Sequence, residues 1–191
     1  MTRLTLAGPG AGKTQDLCNQ INARLQGGVN PYAVLAITFS RKAAAVITER
    51  TMGRVEGHTF HGFANWIIRL GCKIRNEDPP VIIPEGDQED LIKAAIEQVG
   101  HSFLEMEEVK SALTKMRVLN MPEEAFRPEV VLAAERYLDL LDLRNEMDFT
   151  RILERGAKEL YIPQVKHQIE KLFKAVFIDE AQDSAPRGVQ D

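Results

Sequence analysis

Cysteine is scarce in this chain. Its 191 residues hold two, Cys18 and Cys72, far apart and not in a Cys-x-x-Cys pair. That excludes a disulfide-built scaffold and makes a reducing compartment the default. Aromatic residues are 6% of the chain, with a single tryptophan. No apolar stretch approaches the roughly 18 residues that a membrane-spanning helix requires. The opening Met1-Thr2-Arg3-Leu4 lacks the apolar core of a secretory leader. The expectation is a cytoplasmic protein with no membrane partner. Internal repeats and low-complexity segments are also missing. What is present, 44% hydrophobic and 27% charged residues, suits one substantial globular domain or a domain carrying an insertion.

The net charge of −4 hides an asymmetry. Through Arg75 the chain has ten lysines and arginines against three acids, a surplus of seven positive charges, and the remainder carries an excess of eleven negative ones. A basic first third can form a polyanion-binding face inside a mildly acidic protein. It is equally consistent with a soluble protein of uneven surface charge.

The first 75 residues alternate between strand and helix signals. Residues 3–6 form a short strand candidate. Residues 14–26 have helical apolar spacing (Leu17, Ile21, Leu25) and stop at Gly27-Gly28. The run at residues 33–37 reads as a buried strand. Ser40 can cap a helix over 41–52 ended by Gly53, and Thr59 another over 60–70 ended by Gly71. Such alternation predicts a parallel sheet covered by helices. Pro79, Pro80 and Pro84 mark a linker. From there to about residue 173 the pattern is helical throughout: 88–99 with Asp87 as cap, 105–119, 128–147 opened by Pro128, 149–160 with Asp148 as cap, and 163–173 opened by Pro163. No strand is expected across this stretch. Residues 175–178 return as a short buried strand.

The strongest chemical signal is Ala7-Gly8-Pro9-Gly10-Ala11-Gly12-Lys13-Thr14. It fits the P-loop pattern with alanine in the first glycine position, and it has a strand before it and a helix after it. Small residues let successive backbone N–H groups wrap a phosphate chain, and the helix that follows adds its positive end. Lys13 would reach the β- and γ-phosphates, and Thr14 would offer a hydroxyl to Mg²⁺. The second signal is Ala175-Val176-Phe177-Ile178-Asp179-Glu180-Ala181-Gln182-Asp183, an apolar strand that delivers acids at its carboxyl end, as in a Walker B segment. In a parallel sheet that end faces the ligand. Asp179 would hold the Mg²⁺ shell, and Glu180 would orient and polarise the attacking water. The fold class implied is α/β, a P-loop NTPase sheet flanked by helices with an all-helical insertion.

Three further stretches resemble the UvrD/Rep/PcrA-type DNA helicases of superfamily 1. Ala36-Ile37-Thr38-Phe39-Ser40-Arg41-Lys42-Ala43-Ala44 is similar to that family's motif Ia, and His58-Thr59-Phe60-His61-Gly62 to its Thr-Phe-His motif. Asp179-Glu180-Ala181-Gln182-Asp183 is similar to its motif II, and Met147-Asp148-Phe149 with Ile152-Leu153 to a stretch that often precedes motif II. The resemblance implies a RecA-like ATP-binding domain in two parts, residues 1–77 and 163–191, around a helical 1B-like insertion at 78–162. It implies ATP and Mg²⁺ as cofactors. Ala7, Gly8, Pro9, Gly10, Ala11, Gly12, Lys13, Thr14, Gln15 and Asp179 would contact the nucleotide, with Thr14 and Asp179 at the metal. Glu180, Lys13 and Gln182 would be catalytic, Gln182 as the γ-phosphate sensor. Thr38, Phe39, Lys42, Thr59, Phe60 and His61 would lie on the path of single-stranded DNA or a single-strand/double-strand junction. There an aromatic can stack on a base, and a hydroxyl or lysine can hold a phosphate, without reading sequence.

Plainer readings stand beside these roles. Phe39 and Phe60 could be core residues at element ends, His61 a structural histidine, Trp66 a packing residue, Cys18 a small buried residue and Asp148 a helix cap. The resemblance also has gaps. Six residues precede Ala7, too few for the glutamine segment that contacts adenine in the family, and Gln15 stands where the family often has arginine. The second RecA-like domain, with its phosphoryl-stabilising arginines, would lie past Asp191. The chain thus reads as a fragment of a longer helicase or as a truncated relative that lost unwinding, with weak nucleotide binding and little hydrolysis by itself. An AddA/RecB-type helicase–nuclease subunit shares the same motifs. A small-molecule P-loop kinase would explain the P-loop and the insertion but neither Gln182 nor the two Thr-Phe stretches. A degenerate DNA-binding module would not need Lys13, Asp179 and Glu180.

Overall fold

The computed structural model describes residues 13–179, so the strand expected at residues 3–6 lies outside it. The described chain forms two compact units. One comprises the residues up to Ile67 together with those from Glu159 onward, and the other is Ile68–Lys158.

The first unit is built on a three-stranded parallel sheet in the order β2-β1-β5, with β1 Val34–Thr38, β2 Gly57–Thr59 and β5 Ala175–Ile178. The central strand, β1, is buried at all five positions, as expected for a parallel strand covered on both faces. Register pairs Ala36 with Gly57 and Thr38 with Thr59 on one side, and Val34 with Ala175 and Ile37 with Ile178 on the other. Two helices cover one face: α1 (Lys13–Gln26) and α2 (Arg41–Arg50). Leu17, Cys18 and Ile21 of α1 and Ile47 of α2 join Val34 and Ala36 in one buried cluster. The spacing of Leu17, Ile21 and Leu25 thus faces the sheet as periodicity requires.

The local signals act as physics demands. Helix α1 stops at Gly27-Gly28, with Gly28 at φ 87, where a side chain would be strained. Ser40 caps α2, its Oγ accepting from the Ala43 N–H at 3.1 Å. The α2 helix ends at Arg50, two residues earlier than expected. Met52 takes the left-handed conformation at φ 55, and the Gly53 N–H closes the end on the Thr48 carbonyl at 2.8 Å. Gly57 is required for a different reason. A Cβ there would lie 2.3 Å from the Ala44 carbonyl oxygen, so β2 meets α2 backbone to backbone. Phe63 and Trp66 stack with centroids 5.5 Å apart, and Phe173 meets Trp66 edge-on at 5.8 Å. Trp66 is thus a packing residue.

Helix α3 runs Phe60–Arg75, straight through the expected stop at Gly71. That glycine is buried in the helix interior. The true end is Asn76 at φ 57, with the Glu77 N–H bonded to the Cys72 carbonyl at 2.9 Å, a Schellman closure made by asparagine.

The second unit is helical: α4 (Glu85–Gln98), α5 (Met106–Val118), α6 (Pro128–Leu143) and most of α7 (Phe149–Glu159). Its core interleaves large and small residues, with Leu91, Ile92 and Ala95 of α4 against Val109 and Ala112 of α5 and Ala133 and Tyr137 of α6. Three corrections apply: α4 starts at Glu85 with Pro84 at the cap position, so Asp87 lies in its first turn and is not the cap; α6 ends at Leu143, four residues earlier than expected; and strands occur where none was expected. Two-residue strands, β3 (Val81–Ile82) and β4 (Glu146–Met147), pair in parallel, fixed by the Val81 N–H to the Asn145 carbonyl and the Ile83 N–H to the Met147 carbonyl, both 3.0 Å. Segments this short carry no readable alternation. Helix α8 (Pro163–Leu172) precedes β5 in the first unit.

The second unit also holds a buried charge network. Asp148 is 2% exposed. It accepts two hydrogen bonds from the Arg117 guanidinium at 2.6 and 3.1 Å, one from the Tyr137 hydroxyl at 2.8 Å and one from the Arg151 backbone N–H at 2.8 Å. The last is the helix-capping contact expected of Asp148 at the start of α7. Arg117 also grips Glu154 at 3.0 and 3.2 Å. Burial pushes the Asp148 carboxyl up, but Arg117, the Arg151 N–H and Tyr137 outweigh it and hold it below the ordinary aspartate value. Burial and the neighbouring carboxylate raise the Tyr137 phenol.

Candidate functional site

The carboxyl ends of the three parallel strands converge on one edge. Asp179 follows β5 directly, its N–H bonded to the Ile37 carbonyl at 2.9 Å. It continues the ladder, which puts it beside Thr38, and Thr38 in turn pairs with Thr59. Thr59, Thr38 and Asp179 therefore form a row across the sheet's carboxyl edge. That is where an open parallel sheet binds ligands.

Thr14 meets this row from the first turn of α1. Its Oγ1 donates to Asp179 Oδ2 at 2.7 Å, across 165 residues of sequence. Asp179 is 4% exposed. Its carboxylate is met by a neutral hydroxyl, that of Thr14. A buried carboxylate without a compensating charge is costly. The donor set is oxygen only, which matches a hard divalent cation. Because the Thr14 hydrogen points to Asp179, the lone pairs of Thr14 Oγ1 and the second Asp179 oxygen are available to such an ion. The described residues contain no group of three His, Cys, Asp or Glu side chains around one point. Magnesium in nucleotide sites needs only one or two protein ligands, with phosphates and waters completing its shell. The residues present fit magnesium.

Lys13 opens α1, and Gln15 follows Thr14 on its exposed side. Gln15 donates to Asn19 Oδ1 at 3.0 Å and accepts from the Arg50 guanidinium. Nothing in the sequence pattern singles out Arg50. It reaches the start of α1 because the last turn of α2 packs against that helix, where Asn22 also bonds the Arg50 carbonyl at 3.2 Å. Beneath Thr14, one turn along α1, sits the buried Cys18. Burial pushes its thiol up, opposed by Arg50 and reinforced by the Asp179 carboxylate. Ala7, Gly8, Pro9, Gly10, Ala11, Gly12, Glu180 and Gln182 lie outside the described residues.

The remaining candidates gather where β1 and β2 turn into their helices. Phe39 is 61% exposed, so it is not a core residue. Lys42 is exposed in the first turn of α2. Thr59 Oγ1 accepts from the Gly62 N–H at 3.0 Å and caps α3. Phe60 and His61, the first residues of α3, are half-buried. Burial holds the His61 imidazole below the ordinary histidine range, which favours its neutral form. Thr38 differs from the others: its side chain is fully buried.

Residues 1–190 of the 191 match the UvrD/REP helicase N-terminal domain. The chain belongs to this family. It is 29% identical over 206 residues to DNA helicase II of Escherichia coli (strain K12) and 28% identical over 205 residues to DNA helicase II of Salmonella typhimurium (strain LT2). It is also 28% identical over 201 residues to the ATP-dependent DNA helicase PcrA of Staphylococcus aureus (strain Mu50). Each comparison covers 95% of this chain, and the chain spans 28% of the length of each relative. Membership in the UvrD/REP family agrees with the parallel sheet, the helical insertion and the edge on which Thr14 and Asp179 meet. No helix among the described residues is long and apolar enough to cross a membrane.

Proposed function

We propose that this chain is the N-terminal ATP-binding portion of a helicase that steps along single-stranded DNA and couples ATP hydrolysis to unwinding. The observation that carries the reading is the 2.7 Å hydrogen bond from Thr14 to the buried Asp179. It joins the two segments from which a P-loop and a Walker B strand would have to be assembled. Bound magnesium supplies charge neutralisation at the β- and γ-phosphates. Thr14 and Asp179 would hold it, Thr14 through the lone pairs of the same Oγ1 that donates to Asp179, and Asp179 through its carboxylate. Lys13 holds the terminal phosphates, and residues 7–12 wrap the phosphate chain with backbone N–H groups. Glu180 orients and polarises the attacking water, and Gln182 senses the γ-phosphate. Gln15 lies beside the nucleotide.

DNA lies along the adjoining edge. Phe39 and Phe60 offer stacking faces, while Lys42, Thr59 and His61 offer phosphate contacts, a combination that tolerates any sequence. The cap geometry of Ser40 and Thr59 turns the N-termini of α2 and α3 toward that edge, which favours an anionic backbone. The surplus of basic residues before Arg75 acts in the same direction.

The test is direct. A fluorescent, non-hydrolysable ATP analogue is titrated with and without magnesium, and a labelled oligonucleotide is titrated at two salt concentrations. The wild-type chain should bind the analogue more tightly with magnesium. Asp179→Asn should lose about tenfold or more of that gain, the scale seen when support of a metal site is removed. Oligonucleotide binding should weaken steeply with salt and ignore sequence. Magnesium-independent analogue binding that D179N leaves intact refutes the nucleotide assignment. No oligonucleotide binding refutes the helicase assignment and favours a small-molecule NTPase.

A further inference from the structure

Within the Thr38-Phe39 pair, the two residues divide their labour. We propose that Thr38 is a positioning residue of the Asp179 site, its buried hydroxyl holding a water of the magnesium shell beside the carboxylate. The assignment rests on the nucleotide-binding reading above. Three observations carry it.

The first is burial with an unmet need. Thr38 is 0% exposed, and its Oγ1 has no hydrogen-bond partner among the described residues. A buried hydroxyl left without a partner is penalised, and valine would fill the same space in β1 at no such cost. A purely structural role therefore does not account for threonine here.

The second is direction. Alternation along β1 puts Val34, Ala36 and Thr38 on one face, and Val34 and Ala36 pack against Leu17, Cys18 and Ile21 of α1. Thr38 consequently faces the helix that carries Thr14. Phe39, the next residue, lies past the strand end and is 61% exposed.

The third is neighbourhood. Val34 pairs with Ala175 and Ala36 with Phe177, and the Asp179 N–H bonds the Ile37 carbonyl at 2.9 Å. The next pair in that register is Thr38 with Asp179, on the same face. Asp179 already receives Thr14 at one oxygen. Three oxygen-bearing side chains, from α1, β1 and the end of β5, thus lie at one corner of the sheet edge, and Thr38 is the one that makes no hydrogen bond at all among the described residues. A hydroxyl that can both donate and accept suits a water that must itself be oriented by its neighbours.

The test compares Thr38→Val with Thr38→Ser by three measurements: the magnesium-dependent gain in affinity for the non-hydrolysable ATP analogue, oligonucleotide affinity, and the ligand-free melting temperature. T38V should melt at or above the wild-type temperature and bind oligonucleotide as before. It should lose about two- to tenfold of the magnesium-dependent gain, the worth of one hydrogen bond. T38S should recover that gain. The proposal is overturned if T38V keeps the full gain, if T38V weakens oligonucleotide binding instead, or if its ligand-free form melts well below wild type, which would mean that the hydroxyl is structural. A wild-type chain with no magnesium-dependent gain overturns the functional reading and this assignment together. A wild-type gain that T38V preserves overturns this assignment alone.

Discussion

Arg117 is the side chain whose removal should expose the internal electrostatics of the helical unit most clearly. Replacing it by methionine keeps most of its aliphatic bulk and deletes both hydrogen bonds to Asp148 at 2.6 and 3.1 Å and both to Glu154. Glu154 is 36% exposed and can turn to water, whereas Asp148, at 2%, cannot. Breaking a buried pair on one side costs about 3–5 kcal/mol. Arg117 keeps 11% exposure, and Asp148 keeps the Tyr137 hydroxyl and the Arg151 N–H, so the expectation is the lower end, about 3 kcal/mol. For a chain of this size that is a fall in melting temperature of about 6–12 °C.

Arg117→Met with Asp148→Asn should melt higher than Arg117→Met alone. Asparagine carries no charge to strand, and its carbonyl oxygen still caps α7. The pH dependence gives a second check. In the wild type the Asp148 carboxyl lies below its ordinary value of 3.8. Its contribution to stability is therefore fully present above that value and is lost as pH falls through the folded value. In the variant burial acts with much less opposition and moves the carboxyl upward, so the deficit should be largest near neutrality and shrink on acidification. Thermal melts followed by circular dichroism at about pH 7 and about pH 4 measure both effects. A shift below about 2 °C at neutral pH, or a double variant no better than the single one, would refute the reasoning.

Gly57→Ala should be among the most damaging small changes in the sheet unit. The new methyl would sit 2.3 Å from the Ala44 carbonyl and 2.9 Å from its Cα, so β2 or α2 must move, and denaturant melts should show a loss of at least about 1–3 kcal/mol. Ser40→Ala removes the acceptor of the Ala43 N–H and should cost about 1 kcal/mol, with Ser40→Asp restoring it. Cys18 and Cys72 are both buried, and the Cys18 thiol is pushed up by burial. A thiol-reactive dye should therefore label neither in the native protein and both on unfolding; rapid native labelling would contradict the packing of α1 on the sheet.

What the sequence makes legible depends on how locally each feature is encoded. The limits of strand β5 are read residue for residue because an apolar run of four is bounded by Lys174 and Asp179, but its expected burial is not met, Val176 and Ile178 being 54% and 46% exposed. Asp148 is readable as a cap because the helix it starts follows at once. Gly71 misleads because a glycine inside a helix and a glycine ending one look alike. The decision comes from burial on the packed face and from Asn76, which adopts the left-handed conformation that closes α3. Strands β3 and β4 are two residues each and owe their existence to a pairing across more than sixty residues. The site divides in the same way. The residue types at Thr14, Thr38 and Asp179 follow from motifs, and the meeting of Thr14 with Asp179 follows from the logic of a parallel sheet. The burial of Thr38 and the approach of Arg50 to Gln15 depend on packing in three dimensions, and no spacing rule contains them. The grip of Arg117 on Asp148 is of the same kind.

The stacked pair of Phe63 and Trp66, closed edge-on by Phe173, has a practical consequence. Trp66 is the sole indole of the chain, and all three rings belong to the sheet unit. Intrinsic emission is therefore a private signal of the unit that carries Thr14 and Asp179, whereas far-ultraviolet dichroism sums over every helix. Recording both during one unfolding transition reports, without a label, whether the two halves of the molecule come apart together or in sequence.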